Sequence, residues 1–209
     1  MTNNKELFMK WIQILFYVQC AVLVITLIAK LPFVGSWFSW VIRLTTIATI
    51  FVLYKLSPLN TRYLKASIFM GVTILTTIFL KGLGVLAIVG MICSIIATYQ
   101  EFMGHSEMMK EADAKLSKNW NSLFNWELWG GFLIGGITVP IVVAIVLAGP
   151  ANIELATGVT QVFTDGFSII LNIVYLVLLK RMLTAYASYE PQVEDVGSEE
   201  AEKRSIIDN

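Results

Sequence analysis

Residues 11–29 read WIQILFYVQCAVLVITLIA, a run without a single charge between Lys10 and Lys30. A helix rises 1.5 Å per residue, so about 20 residues cross the hydrocarbon core of a bilayer, and this run matches that length. Its basic flank, Lys5 and Lys10, is what a signal peptide would carry. The apolar run is longer than the usual core of a signal, however, and no small-x-small cleavage pattern follows in Lys30-Leu31-Pro32-Phe33. It is expected to be an uncleaved first span.

Five more apolar segments follow. They run over about 37–56, ended by Ser57-Pro58, then 63–80, 83–99, 128–148 and 166–183. Proline cannot continue a helix, and Gly149-Pro150 closes the fifth segment as Ser57-Pro58 closes the second. Lys81-Gly82-Leu83-Gly84 reads as a tight turn between the third and fourth. Segments one, two and five have full spanning length; three, four and six are short. The pattern predicts an all-α polytopic membrane protein with six transmembrane helices over residues 1–189.

Composition supports a lipid environment. Of 209 residues, 56% are hydrophobic and 14% charged, with a mean hydropathy of +0.72. A soluble domain carries about 25% charged residues. Net charge is zero, which argues against a nucleic-acid partner. Cys20 and Cys93 lie inside apolar runs and read as small hydrophobes rather than a disulfide.

Charge placement orients the spans. With the amino end inside, the inner loops hold Lys5, Lys10, Lys55, Arg62, Lys65, Lys110, Lys115, Lys118, Lys180, Arg181, Lys203 and Arg204. The outer loops hold only Lys30 and Lys81, a strong positive-inside bias. Both termini are therefore expected in the cytoplasm, with an even number of crossings of the cell membrane. Trp11, Trp37, Trp40, Trp126 and Trp129 fall near segment ends, where an amphipathic ring suits the headgroup layer.

Between residues 99 and 116 the apolar positions Phe102, Met103, Met109, Ala112 and Leu116 alternate with Glu107, Lys110, Glu111 and Lys115. That spacing predicts an amphipathic helical extension of segment four, in the cytoplasm or on the membrane surface. His105 and Glu101 share a face of it. Two ligands are too few for a metal site, so the pair is read as solvated, and no metal or cofactor is expected. Residues 190–209 form an acidic tail of disordered composition.

Three constellations invite a functional reading. Arg43 lies within segment two, where a charge costs roughly 2.5–3.5 kcal/mol on insertion scales. Thr46 and Thr49 follow it, and segment three carries Thr73, Thr76 and Thr77. Together with Asp165 these residues outline an outward-facing polar site for an anionic or hydroxylated ligand. The simpler reading is that Arg43 snorkels to the headgroups or pairs with Asp165, while the threonines bond their own backbone. Asp165-Gly166 suggests a break that would make segment six a broken helix, a transporter device, against the simpler and favoured reading of an ordinary interfacial helix whose acids face water. Finally, Gly131 and Gly135 form a GxxxG, and Gly90 and Ser94 a small-residue stripe in segment four. Both are helix-packing faces, with contacts inside the chain favoured over self-association.

No phosphate loop, zinc-protease or nucleophile-elbow pattern is present, so no enzyme is expected. Two function classes remain. The first is a small transporter, or the membrane subunit of a transport system. The second is an accessory, regulatory or immunity-type membrane protein that packs against a partner. The bilayer is the certain neighbour; another membrane protein or a second copy is the other candidate.

Overall fold

The computed structural model describes residues 2–29, 38–79, 84–147, 149 and 153–189. These residues form six helices and, among them, no strand: α1 Thr2–Ile28, α2 Phe38–Leu56, α3 Thr61–Phe79, α4 Gly84–Met109, α5 Ala114–Leu147 and α6 Ile153–Ser188. Lys81 and its turn, Trp37, Pro150 and the acidic tail 190–209 lie outside the described residues.

Each helix packs against its neighbours in sequence, and α1 closes against α6. The result is a ring of six helices running alternately up and down. Local chemistry sets its corners. Asn60 caps α3, its side-chain oxygen accepting the Arg62 amide at 2.9 Å, and Asp113 caps α5 in the same way through the Leu116 amide. The ring is closed by Lys5, whose ammonium donates to the carbonyls of Ala187 and Tyr189 at the carboxy end of α6. A lysine there satisfies orphan carbonyls and complements the helix dipole.

The packed core occupies one end of this ring. Phe8, Ile12 and Leu15 of α1 meet Leu53 and Leu56 of α2, Tyr63 of α3, Phe102 and Met109 of α4, Leu116 and Trp120 of α5, and Leu179 and Met182 of α6. Every basic residue among the described ones except Arg43 gathers at this same end. Toward the other end the helices expose large apolar side chains, including Leu44, Phe132, Leu147 and Val162. Water would not tolerate that surface; lipid would.

Among the described residues three helices, α1, α5 and α6, are long and apolar enough to cross a membrane, not the six expected. The other three carry charge within or near their apolar runs. The 19-residue helices α2 and α3 are each about 28 Å long. The first carries Arg43 and Lys55 and the second begins with Arg62 and Lys65. The last third of α4 carries Glu101, His105 and Glu107.

Boundaries also move. The fifth segment, expected at 128–148, starts at Ala114, and the sixth, expected at 166–183, runs unbroken from Ile153 to Ser188. The break expected at Asp165-Gly166 is not there. Gln161, one turn earlier, donates to both Asp165 oxygens at 2.9 Å, so the acid is served without leaving the helix. Thr160 and Thr164 likewise bond the carbonyls one turn back. Within α5, Pro140 is accommodated in the helix, as proline often is in apolar spans.

The amphipathic stretch 99–116 is divided by a turn at Lys110–Asp113 between α4 and α5. Met109 and Leu116 are both buried, as the apolar spacing implies, but from two helices folded back on each other. The hairpin is tied by the Ser106 hydroxyl, which lies 3.0 Å from the Ser117 carbonyl and 2.9 Å from its hydroxyl. Segment four thus extends as a helix to Met109, with Met109 buried against α5 and Glu107 exposed.

Candidate functional site

The polar face of α4 turns inward. His105 is fully buried and Glu101 is 5% exposed, so the solvated pair expected from the sequence is instead the centre of the ring. Four helices converge on this imidazole. Its Nδ1 is 2.9 Å from the Tyr63 hydroxyl on α3, its Nε2 is 3.4 Å from the Tyr175 hydroxyl on α6, and its ring stacks 4.5 Å from Trp120 on α5. Tyr175 in turn donates a short hydrogen bond to Glu101. A neutral imidazole with its proton on Nε2 satisfies every partner. Tyr63 then donates to Nδ1, Nε2 donates to the Tyr175 oxygen, and Tyr175 donates to the carboxylate.

This arrangement forms a plug across the ring. Phe102, Trp120 and Tyr175 pack around the histidine with centroids 5.3–5.6 Å apart. Glycine makes the fit possible at one point. A Cβ at Gly104 would lie 2.9 Å from the Tyr63 ring, so α3 and α4 approach this closely only with glycine there. The Trp120 indole nitrogen has no hydrogen-bond partner among the described residues, although it is buried.

Immediately beyond the plug, on the side away from the basic end, lies a cavity of about 180 Å³. It is lined by Gln19 of α1, Thr98, Glu101 and Phe102 of α4, Leu123 and Glu127 of α5, and Ser168, Leu171, Asn172 and Tyr175 of α6. Seven of these ten side chains are polar and none is basic. The volume accommodates several waters or one small ligand. Glu127 has no hydrogen-bond partner among the described residues, so its carboxylate is left to whatever occupies the cavity.

Outside the ring the plug is buttressed by a surface network. Arg62 at the start of α3 pairs with Glu107 near the end of α4 at 2.6 Å. Asn60 donates to the same carboxylate at 2.9 Å, and Arg62 reaches Gln100 at 3.2 Å. Partial burial pushes the Glu107 carboxyl up, but the Asn60 and Arg62 hydrogen bonds and the charges of Arg62 and Lys110 outweigh it. The carboxyl sits below its ordinary value.

No protein family matches the chain. No match is found among curated proteins or solved structures either. Function has to be argued from the site itself.

The residues singled out by sequence are spread around the ring. The Arg43 guanidinium lies 4.7 Å from the centre of the Trp40 ring. Thr46 donates to the Ile42 carbonyl, Thr76 and Thr77 to that of Thr73, and Thr49 to that of Thr45, with Gln19 donating to Thr49 at 3.4 Å. Thr73 and Thr76 meet α4 at Gly90: the Thr73 hydroxyl is 3.3 Å from the Gly90 carbonyl, and a Cβ on Gly90 would lie 2.6 Å from the Thr76 oxygen. Ser94 is exposed. Asp165 is on α6, and the ring sets α1 between it and the helix of Arg43. Gly131 and Gly135 have nothing within 4 Å of an added Cβ, so no described part of this chain packs on the GxxxG face. No group of three metal-ligating side chains occurs among the described residues.

The sequence did hold a signal for the cavity. Gln19 and Asn172 are amides near the middle of apolar segments, where a polar group demands an internal partner or a ligand.

Proposed function

We propose that this chain crosses the cell membrane with all six helices, amino and carboxy ends in the cytoplasm, and acts as a small transporter or the membrane subunit of one for a cationic cargo. The observation that carries this reading is the cavity inside the ring, which two carboxylates, Glu101 and Glu127, line with no lysine or arginine among the lining side chains. Ionisable groups between membrane helices are costly, and they persist where they bind or move charge. An anion would meet repulsion there, whereas a small cation would meet two carboxylates, the Asn172 and Gln19 amide oxygens and hydroxyls.

The orientation follows from charge. The described basic residues other than Arg43 cluster at the plugged end, which by the positive-inside preference supports a plug toward the cytoplasm and a cavity on its outward side. On this reading the 19-residue helices α2 and α3 and the longer α4 cross by resting in the ring. In the last third of α4 Glu101 and His105 are shielded by neighbouring helices, while Glu107 stays at the surface at the cytoplasmic end.

Arg43 with Thr46, Thr49, Thr73, Thr76 and Asp165 stands as a weaker proposal for the same outward-facing role. Five of the six sit on α2 and α3 or at their shared faces, but the threonine hydroxyls spend their protons on carbonyls of their own helices. A partner-binding role is favoured by one observation, the open GxxxG face of α5. The reading involves binding and movement of a ligand, not catalysis.

The test is uptake of a small organic cation, tetramethylammonium, by vesicles containing the purified protein. Glu127→Gln keeps the size of the side chain and removes its charge. Uptake should fall at least tenfold at equal insertion. Unchanged uptake in Glu127→Gln, or none in the native protein, would count against the proposal.

A further inference from the structure

Glu127 belongs to two spaces at once. It lines the polar cavity within the ring, and with Thr98 it also ends an apolar groove of about 350 Å³ along the seam between α4 and α5. The groove walls are Met91 and Ile95 on α4 and Phe124, Leu128 and Phe132 on α5. Met91 and Phe132 are exposed, so the groove opens on the outer surface of the ring, the surface that faces lipid in the proposed membrane setting. Gly131 also lines it, and nothing lies within 4 Å of the place its side chain would occupy.

From this juxtaposition we propose that the cargo is an amphiphilic cation, which enters sideways from the bilayer with its apolar body in the α4–α5 groove and its positive end on Glu127. The inference rests on the cation reading of the cavity and adds to it a route and a ligand shape. Charge complementarity selects this occupant. An anionic phospholipid such as phosphatidylglycerol would bring its phosphate toward Glu127 and Glu101 and be repelled, and a neutral hydrocarbon would leave the carboxylate without a partner. A small hydrophilic cation would satisfy the carboxylate and leave the groove unused. An organic cation with aromatic or aliphatic bulk satisfies both spaces. The missing Cβ at Gly131 then has a purpose, because any larger side chain would stand in the groove just where the ligand body must pass.

The experiment compares two probes on the purified full chain in lipid nanodiscs: tetraphenylphosphonium, bulky and apolar, and tetramethylammonium, small and hydrophilic. Equilibrium dialysis gives the affinity of each for the native protein, Glu127→Gln and Gly131→Leu. Both probes should weaken at least tenfold with Glu127→Gln. Only tetraphenylphosphonium should weaken tenfold with Gly131→Leu, a substitution that meets open space and need not disturb the fold. Met91→Trp narrows the groove from the opposite wall and should repeat the effect if the leucine variant fails to fold. Retained tetraphenylphosphonium binding in both groove variants would overturn the sideways route while leaving the cavity reading intact. So would binding of tetramethylammonium alone. Tetraphenylphosphonium binding that ignores Glu127→Gln would mean simple partition into an apolar crevice, and overturns the inference. Failure of both probes to bind the native protein overturns the cation reading as well.

Discussion

The Tyr63 hydroxyl stands 2.9 Å from Nδ1 of His105, a contact that joins α3 to α4 at the centre of the ring and aligns the imidazole toward Tyr175. Both side chains are fully buried. Removing one partner leaves the other's hydrogen-bonding group without water. Tyr63→Phe should therefore cost about 1–3 kcal/mol. His105→Ala also empties volume among Trp120, Phe102 and Tyr175, orphans the Tyr63 hydroxyl and removes one of the two partners of the Tyr175 hydroxyl, so it should cost more, about 3–5 kcal/mol. Reversible unfolding in mixed micelles reads both. Equal and negligible losses would mean that the plug is not formed.

Glycine positions give a paired prediction. Gly104→Ala forces a Cβ against a tyrosine ring that its hydrogen bond holds in place, and should destabilise by about 1–3 kcal/mol. Gly135→Ala meets open space on a helix and should be neutral or stabilise by about 0.5–1 kcal/mol. The same open face tests the partner reading. If a second membrane protein or a second copy sits there, Gly135→Ile disrupts its co-purification; if lipid does, the elution size of the protein is unchanged.

The Arg62–Glu107 pair predicts a dependence on pH. The Glu107 carboxyl is lowered in the folded protein, so the stability it contributes is present above the ordinary glutamate value. That contribution is lost as pH falls through the lowered folded value. The pair is partly exposed, with side-chain accessibilities of 29% and 46%, so its size is below about 1 kcal/mol after screening. Glu107→Gln should flatten the acid limb of a stability profile between about pH 5 and 3 and change nothing at neutral pH beyond that small offset. An unchanged acid limb would show that the pair is not formed in solution.

Arg43 separates the two candidate sites. If the carboxylate cavity holds the cargo, Arg43→Ala leaves cation affinity within about twofold, since the guanidinium lies over Trp40 on the outer part of α2. Loss of cation binding in this variant, with insertion intact, would return weight to the site around Arg43.

How much of this was legible beforehand depends on the kind of signal. Apolar run length located all six helices, because burial in lipid or in a ring demands the same residues. Proline and glycine marked the ends of α2 and α5 correctly, yet Asp165-Gly166 failed as a break because Gln161 serves the acid from within the helix. The buried site was misread for a different reason. Spacing shows that Glu101 and His105 share a face, but not whether that face meets water or the centre of a ring. Their partners Tyr63 and Tyr175 are 42 and 70 residues away from His105, beyond any local pattern. Trp120, which falls in a charged stretch by sequence, is buried for the same reason.

The claim that matters most is that an acid-lined, ligand-accessible cavity lies beyond the plug. Asn172→Cys, in a background free of Cys20 and Cys93, places a thiol on its wall. Reaction rates with thiosulfonate reagents of equal size and opposite charge then read its potential directly. The account predicts that the cationic reagent reacts at least tenfold faster than the anionic one, and that Glu101→Gln with Glu127→Gln removes the difference. Equal rates in the native background, or faster reaction with the anionic reagent, would contradict it.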